Sequence, residues 1–505
     1  MKMIKPVLSA LVALLPLVAS AQRTLTLEEC RQMALSGNKS LEQARTQVEM
    51  AGYDRKAALA NYFPNVSATG AYMYNDKDIS LVSDEMSAAL TGVGTAVQGQ
   101  LAQQVQALMQ GVMTNPAAAM EYMQSPMWQT ILGAMSQTDV SNALNAIGTQ
   151  VDEALHLDIR NVYVGMVSVQ QPLFTGGKIL AANRIARLAE DLSRAQYDTE
   201  YQQILVDVDQ AYWQIVSVAN KKKLAESYAA LLEQMEHNVN VGVEEGVATG
   251  SDALAIRVKK NEADMMVTKA TNGLVLAKML LCKQIGLDLG TDIVLADETL
   301  DTVPMPLMAP EKDMEQVYAD RPELRSLDLA AQIYDRKVAV ARADMLPTVA
   351  LTANYLVSNP TLQKGFTHDW GGMMSAGVMV KIPLFHGFEA LQKTRKAQAE
   401  ASLYRSRYED TRDLVTLQVT QLRRQLREAQ ERLLMAESDL DHAEENLRTA
   451  TVGFEEGVLA TDVALAAQTA WLQAHSELID AGIEAQMISA NLRKAEGDYD
   501  PIEMK

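Results

Sequence analysis

Val241-Gly242-Val243-Glu244-Glu245-Gly246-Val247 returns 211 residues later as Val452-Gly453-Phe454-Glu455-Glu456-Gly457-Val458. The same offset relates Gln171-Pro172-Leu173-Phe174 to Ile382-Pro383-Leu384-Phe385. Upstream, Tyr53-Asp54-Arg55-Lys56 and Pro64 correspond to Tyr334-Asp335-Arg336-Lys337 and Pro347, at offsets of 281 and 283. Four matches in one order mark a duplicated unit. The fall in offset from 283 to 211 places 72 extra residues in the first copy, between Pro64 and Pro172.

Before each V-G-x-E-E-G stretch runs a long amphipathic pattern. In the second copy Val415, Val419, Leu422, Leu426, Ala429, Leu433, Ala436, Leu440, Ala443, Leu447 and Ala450 are spaced by four and three in alternation. That 3.5-residue period is the seam of a left-handed coiled coil. The first copy keeps the phase at Ile204, Val208, Ala211, Ile215, Val218, Ala225, Ala229, Leu232 and Val239, interrupted by Lys222 and Glu236. No proline falls between Phe388 and Val452, a span of 65 residues or about 98 Å of helix. A second helix follows each turn, with Ser251 and Thr461 as expected N-caps. Each copy therefore carries a helical hairpin, with tips at 241–252 and 452–462.

Four other stretches alternate with a period of two: about 65–75, 161–171, 348–358 and 374–384. Val66, Ala68, Gly70, Tyr72 and Tyr74 share one face of the first, opposite Ser67, Thr69 and Ala71. Strands of about ten residues with an apolar face and tyrosines near their ends suit an outer-membrane barrel. A half-buried soluble sheet produces the same alternation. Pro64, Pro172, Pro347 and Pro383 are expected at helix–strand junctions, where proline stops one element from running into the other. Four strands cannot close a barrel, and open edges are not tolerated in lipid; three copies would give 12 strands, an even number.

These elements define a first repeat over 22–290, a linker over 291–310, a second repeat over 311–497 and a tail over 498–505. The inserted element, 76–158, has no Lys or Arg between Asp78 and Ile159, is rich in Gln, Met and Ala, and is punctuated by Asn115-Pro116 and Ser125-Pro126. It is expected to form two or three short helices on the extracellular side. Residues 1–21 combine Lys2 and Lys5, an apolar run and Ala19-Ser20-Ala21, the pattern of a cleaved secretory signal. Beyond Gln22 there is no run of 18 apolar residues.

The 505 residues carry 45 Lys and Arg against 64 Asp and Glu, a formal charge of −19, which argues against phosphate-directed nucleic-acid binding. Aromatic residues make up 5% of the chain, as suits helices rich in Ala, Leu, Gln and Glu. Catalytic signals are weak. His156, His237, His368, His386, His442 and His475 have no metal-ligand spacing. Thr175-Gly176-Gly177-Lys178 lacks the earlier glycine of a phosphate loop, and Gly92-x-Gly94 lacks a preceding strand. Cys30 and Cys282 are too few for a disulfide framework. No enzymatic activity, metal or cofactor is expected.

The signal segment, the duplicated helix–strand–strand–helix unit, the proline-marked strand boundaries and the V-G-x-E-E-G turns together resemble the TolC family of outer-membrane efflux channels. The resemblance runs from Leu25 to about Glu496, excepting the insertion. It implies a mixed α/β membrane protein, a homotrimer whose 12-stranded transmembrane β-barrel is continued by a long α-helical coiled-coil barrel in the periplasm. It further implies an exit duct in the outer membrane of a Gram-negative cell, serving a tripartite efflux pump or a type I secretion system. The partners would be a periplasmic adaptor and an inner-membrane transporter of the RND or ABC type. By the same resemblance Asp252 and Asp462 form the periplasmic gate, where converging carboxylates repel, raise a pKa and attract cations. Gly242, Glu244, Glu245, Gly246, Gly453, Glu455, Glu456 and Gly457 would meet the adaptor. Asp252 and Asp462 also suit a purely local role at helix N-termini. A periplasmic coiled-coil scaffold without a pore would explain the long helices equally, though not the strand pairs set between prolines.

Overall fold

The computed structural model describes residues 24–499, except 114–120, 122, 137, 247, 299, 301–302, 307–309, 362, 364–365 and 386. The expected signal segment, the Asn115-Pro116 break and the last residues of the expected tail lie outside the described residues. In chain order, β1 (Thr24–Leu25), α1 (Leu27–Gly37) and α2 (Lys39–Ala60) lead to β2 (Asn65–Tyr74). The insertion holds β3 (Ile79–Ser80), α3 (Asp84–Thr91), α4 (Val93–Met113), α5 (Pro126–Ser136), α6 (Thr138–Leu155) and β4 (His156–Leu157). Then come β5 (Asn161–Phe174), α7 (Lys178–Glu244), α8 (Gly250–Ile285) and β6 (Val294–Leu295). The second half contributes α9 (Met314–Asp320), α10 (Pro322–Ala343), β7 (Thr348–Asn359), β8 (Gly371–Lys381), α11 (Glu389–Glu455) and α12 (Thr461–Glu496). The chain divides into a helical unit, made of the described residues up to Ala60, Gly177–Met345 and Phe385 onward, and a sheet unit of Asn61–Gly176 and Leu346–Leu384.

In the helical unit α7 and α11 each run for 67 residues. Of the seam read from α11, Val415, Val419, Leu426, Ala429, Leu433, Ala436, Leu440 and Ala450 are buried, and Leu422, Ala443 and Leu447 are half-buried. The α7 helix is buried almost all round between Tyr201 and Ser217, the mark of a central helix. Its Tyr212, Ile215 and Val216 join Leu281 and Ile285 of α8 and Leu25 and Cys30 in the main core, each such side chain contributing about 2 kcal/mol by burial. The polar interruption at Glu236 is answered across the hairpin, where Arg257 and Lys260 of α8 donate to its carboxylate at 3.0 and 3.2 Å.

Two stretches read as connections turn out to be structural. The expected linker contains β6, which pairs in parallel with β1 through Thr24↔Val294 and Leu25↔Leu295. Its Asp297 accepts the Tyr212 hydroxyl at 2.7 Å. The expected tail places Tyr499 in the core, because its hydroxyl donates to the buried Asp209 of α7 at 2.8 Å. Cys30 and Cys282 are both free and buried; burial pushes the Cys30 thiol up to about 12 and the Cys282 thiol upward as well.

The sheet unit is an antiparallel sheet in the order β2-β5-β7-β8. All four of its links to helical segments (residues 61–64, 175–177, 346–347 and 382–384) leave from one end, while the insertion and residues 360–370 close the other. Two boundaries differ from the sequence reading. The fourth strand is Gly371–Lys381 rather than 374–384, since Lys381 pairs with Thr348, the first residue of β7, and no partner remains beyond it. Pro172 lies inside β5, at a register shift opposite Ala350, where a missing N–H costs least. Pro64 and Pro347 directly precede β2 and β7, and Pro383 follows β8 by two residues.

The insertion is longer-limbed than expected, with α4 and α6 of 21 and 18 residues. It rests on the short β3–β4 ladder, Ile79↔Leu157 and Ser80↔His156. Asn145 of α6 accepts the N–H groups of Gly94 and Thr95 at 2.7 and 3.3 Å and donates to the Thr95 hydroxyl at 2.9 Å. A side chain at Gly94 or Gly148 would overlap the carbonyls of Ser141 or Leu90, so these helices cross at backbone contact.

Candidate functional site

The two hairpin turns are built alike. In the first, Gly246 adopts the left-handed φ of +78°, its N–H donates to the Val243 carbonyl at 3.2 Å, and Ala248 N–H donates to the Gly242 carbonyl at 3.0 Å. In the second, Gly457 has φ of +72° and donates to Phe454 at 3.0 Å, while Val458 and Leu459 both reach the Gly453 carbonyl. Gly246 and Gly457 are therefore helix-terminating residues whose backbone disfavours a Cβ. Gly453 lies directly under the Leu459 side chain.

The returning helices start differently. Thr249, not Ser251, is the N-cap of α8: its hydroxyl accepts from Asp252 N–H at 3.3 Å, and the Asp252 carboxylate accepts the Thr249 N–H and hydroxyl at 2.9 and 2.6 Å. This reciprocal pair is a capping box. The second hairpin has Ala460 at the N-cap, with no side-chain bond, and Thr461 is the first helical residue. Asp462 is exposed and its carboxylate accepts the neighbouring Val463 N–H, at 3.0 Å. Counted from the N-cap, Val463 stands where Asp252 does, so the two aspartates are not structural equivalents.

Hydrogen bonds from Thr249, joined by one from Thr461 of the other hairpin, hold the Asp252 carboxyl below the usual carboxylate range. The direction is opposite to that implied for three converging aspartates; within one chain the cap stabilises the charged form.

The tips meet one another. Met235, Val239 and Ile256 of the first hairpin pack with Ala464 of the second, and Phe454, Val243 and Ala248 close over them. Between the tips lies a groove of about 960 Å³, bordered by His237, Val241, Asp252, Phe454, Leu459 and Thr461. Of these, Asp252 is expected from sequence as a gate residue and Thr461 only as an N-cap; the others carry no site expectation. Thr249-x-x-Asp252 was legible as a cap-box spacing, whereas the pairing of Phe454 with the first hairpin had no local signal. Glu244, Glu245, Glu455 and Glu456 are exposed at the last turn or C-cap of α7 and α11. Neither last turn contains a basic residue, so four carboxylates sit at the helix ends where the macrodipole disfavours negative charge. The four prolines belong to the sheet unit and are grouped at its helix-linked end.

The chain is 26% identical to the alkaline protease secretion protein AprF of Pseudomonas aeruginosa over 348 residues, spanning 68% of this chain and 71% of AprF. The crystal structure of the outer membrane protein VceC of Vibrio cholerae is similar with a TM-score of 0.68 at 14% identity, over 93% of this chain and 96% of VceC. The open state of the MtrE outer membrane channel of Neisseria gonorrhoeae matches with a TM-score of 0.66 at 15% identity, over 93% of this chain and 88% of MtrE. At such identities the likeness bears on fold. The family model described as outer membrane efflux protein matches residues 132–275 and 314–498, well over half the chain and both helical hairpins. On that match, with the duplicated hairpins and the open four-stranded sheet, this chain belongs to the outer membrane efflux protein family.

Proposed function

We propose that the chain is the outer-membrane exit duct of a tripartite efflux pump or type I secretion system in a Gram-negative cell. The observation that carries this is the sheet: four strands with one continuous apolar face and two unpaired edges, β2 and β8. In lipid those edges have to be closed by further copies, and three copies give 12 strands. The α8 helix supports the same assembly. It is long and apolar enough to cross a membrane by composition alone, yet it is the return limb of a hairpin, with Leu254, Val258, Met265, Val275, Leu276 and Leu280 exposed. An apolar face of that extent calls for a neighbouring subunit.

The hairpin tips are the periplasmic entrance in this reading. The cap keeps Asp252 ionised, as a cation-attracting ring requires, and Asp462 is free to reach the same aperture. The unfavourably placed glutamates at the two helix ends, with the turn glycines, are the surface for a periplasmic adaptor that bridges to an inner-membrane RND or ABC transporter. Likeness to AprF favours the secretion branch. The insertion, joined to the end of the sheet away from its helix links, is extracellular.

Cell fractionation and sizing in detergent test the assembly: the outer-membrane fraction and a trimer are expected, and a soluble periplasmic monomer would sink the duct in favour of a scaffold. In planar bilayers the Asp252→Ala/Asp462→Ala protein is expected to conduct more than wild type with weaker cation preference. Unchanged conductance and selectivity would leave both residues as helix-end stabilisers only.

A further inference from the structure

The two faces of the sheet can be read row by row from its register. Tyr72 and Tyr163, 4.9 Å apart between ring centroids, lie on the apolar face with Val66, Ala68, Val167, Tyr355 and Met374. The Ser67 and Ser168 hydroxyls, 2.7 Å apart, mark the other face. From the helix-linked end, its first full row is Asn65, Gln170, Thr352 and Gly377, and its second is Ser67, Ser168, Asn354 and Ser375. The third row changes character: Thr69, Met166, Leu356 and Met373. Beyond it come Ala71, Val164, Ser358 and Gly371, and then Met73 with Val162. Met73, Met166 and Met373 are 51%, 37% and 53% exposed, so they are available on that face.

Charge is nearly absent. Among all residues of β2, β5, β7 and β8 the only charged side chain is Lys381, at the helix-linked end opposite Thr348. A chain with a formal charge of −19 therefore has a sheet whose four strands hold no acidic side chain, and its polar face passes from amide and hydroxyl groups to mainly thioether and aliphatic ones. Beyond Lys381, at its helix-linked rim, that face has nothing with which to bind an ionic group. Methionine is flexible and polarizable, suited to apolar partners of varied shape.

We infer that Met166, Leu356 and Met373, backed by Met73 and Val162, form a specificity-determining apolar collar in the outer part of the duct that holds the apolar groups of amphipathic cargo as it leaves. The inference rests on the exit-duct reading, in which this face lines the pore. Acidic entrance and apolar exit then sort cargo by two different properties: charge at the tips, apolar surface in the sheet.

The test uses the full-length trimer in planar bilayers with two blockers of equal charge, tetramethylammonium and tetrabutylammonium. In wild type, tetrabutylammonium is expected to dwell longer. In Met166→Gln/Met373→Gln its dwell time is expected to fall about tenfold, the equivalent of losing one to two buried methylenes, with tetramethylammonium block and potassium conductance unchanged. Met166→Leu/Met373→Leu keeps the apolar surface and is expected to keep the long dwell. Leu356→Asn reads the same row if the double glutamine protein does not assemble. Equal tetrabutylammonium block in wild type and in the polar variants overturns the collar. A wild-type trimer with no conductance at all overturns the exit-duct reading instead.

Discussion

Asp209 has no exposed side-chain surface and gathers parts of the chain nearly 300 residues apart. Two Arg31 nitrogens donate to its two oxygens at 2.7 Å, Tyr499 donates at 2.8 Å and Arg493 at 3.1 Å. Burial alone would lower the Arg31 pKa, but the bond and charge of Asp209 raise it well above its ordinary value. Removing one member of a satisfied buried pair strands the other. Asp209→Ala is therefore expected to destabilise the helical unit by about 3 kcal/mol, read as a lowered thermal midpoint; a midpoint within error of wild type would show the node to be dispensable. At the tip, the Asp252 pKa is lowered by its cap, so its contribution is present above the unfolded value of about 3.9 and is lost as pH falls through the folded value. Thr249→Ala is expected to move the Asp252 carboxyl back toward the ordinary range in an NMR titration. No movement would assign the depression to another group. The sequence pointed to Asp252 by its place after the turn and gave no notice of Asp209, whose partners are fixed only when α1, α7 and α12 pack.

Among elements, the seam of α11 and the helical hairpins followed directly from periodicity, since a 3.5-residue repeat leaves one packing solution. Strand ends were less legible, because alternation shows which face a residue occupies but not where its partner stops; β8 ends where β7 begins to pair. The turns give an element-scale prediction. Gly246→Ala and Gly457→Ala each force a Cβ into a left-handed conformation, at an expected cost of about 1 kcal/mol. Gly250→Ala, at the first residue of α8 with open space around it, is expected to be neutral or slightly stabilising. Thermal unfolding of the three proteins checks the order, and equal losses at all three would refute the turn argument. For the insertion, Ile79–Leu157 pairing gives a natural point of excision. Replacing residues 81–155 by a short turn is expected to leave assembly of the proposed trimer intact, as sizing in detergent would report. Trypsin is blind to this element, which has no Lys or Arg from Asp78 to Ile159; chymotrypsin added to intact cells is the suitable probe, and protection there would place the insertion elsewhere.

For the whole molecule, charge and sheet are separated. In the proposed trimer, cation preference is expected to come from the acidic tips, so Lys381→Gln should leave the reversal potential in a potassium chloride gradient unchanged within a few millivolts, whereas Asp252→Ala/Asp462→Ala should shift it. A large shift with Lys381→Gln would move the selectivity filter into the sheet. Duplication, helix length, the four long strands and membership of the outer membrane efflux protein family were determined by the sequence itself, because period, proline placement and repeat offset are local properties that survive without contacts. The tertiary structure alone decided that 291–310 and Tyr499 belong to the core, that Thr249 rather than Ser251 caps α8, and that Met166, Leu356 and Met373 share a row. Each of these depends on which distant backbone or side chain comes to lie opposite, and pairing across a sheet or a helical hairpin is set by the fit of whole elements rather than by any stretch of chain read alone.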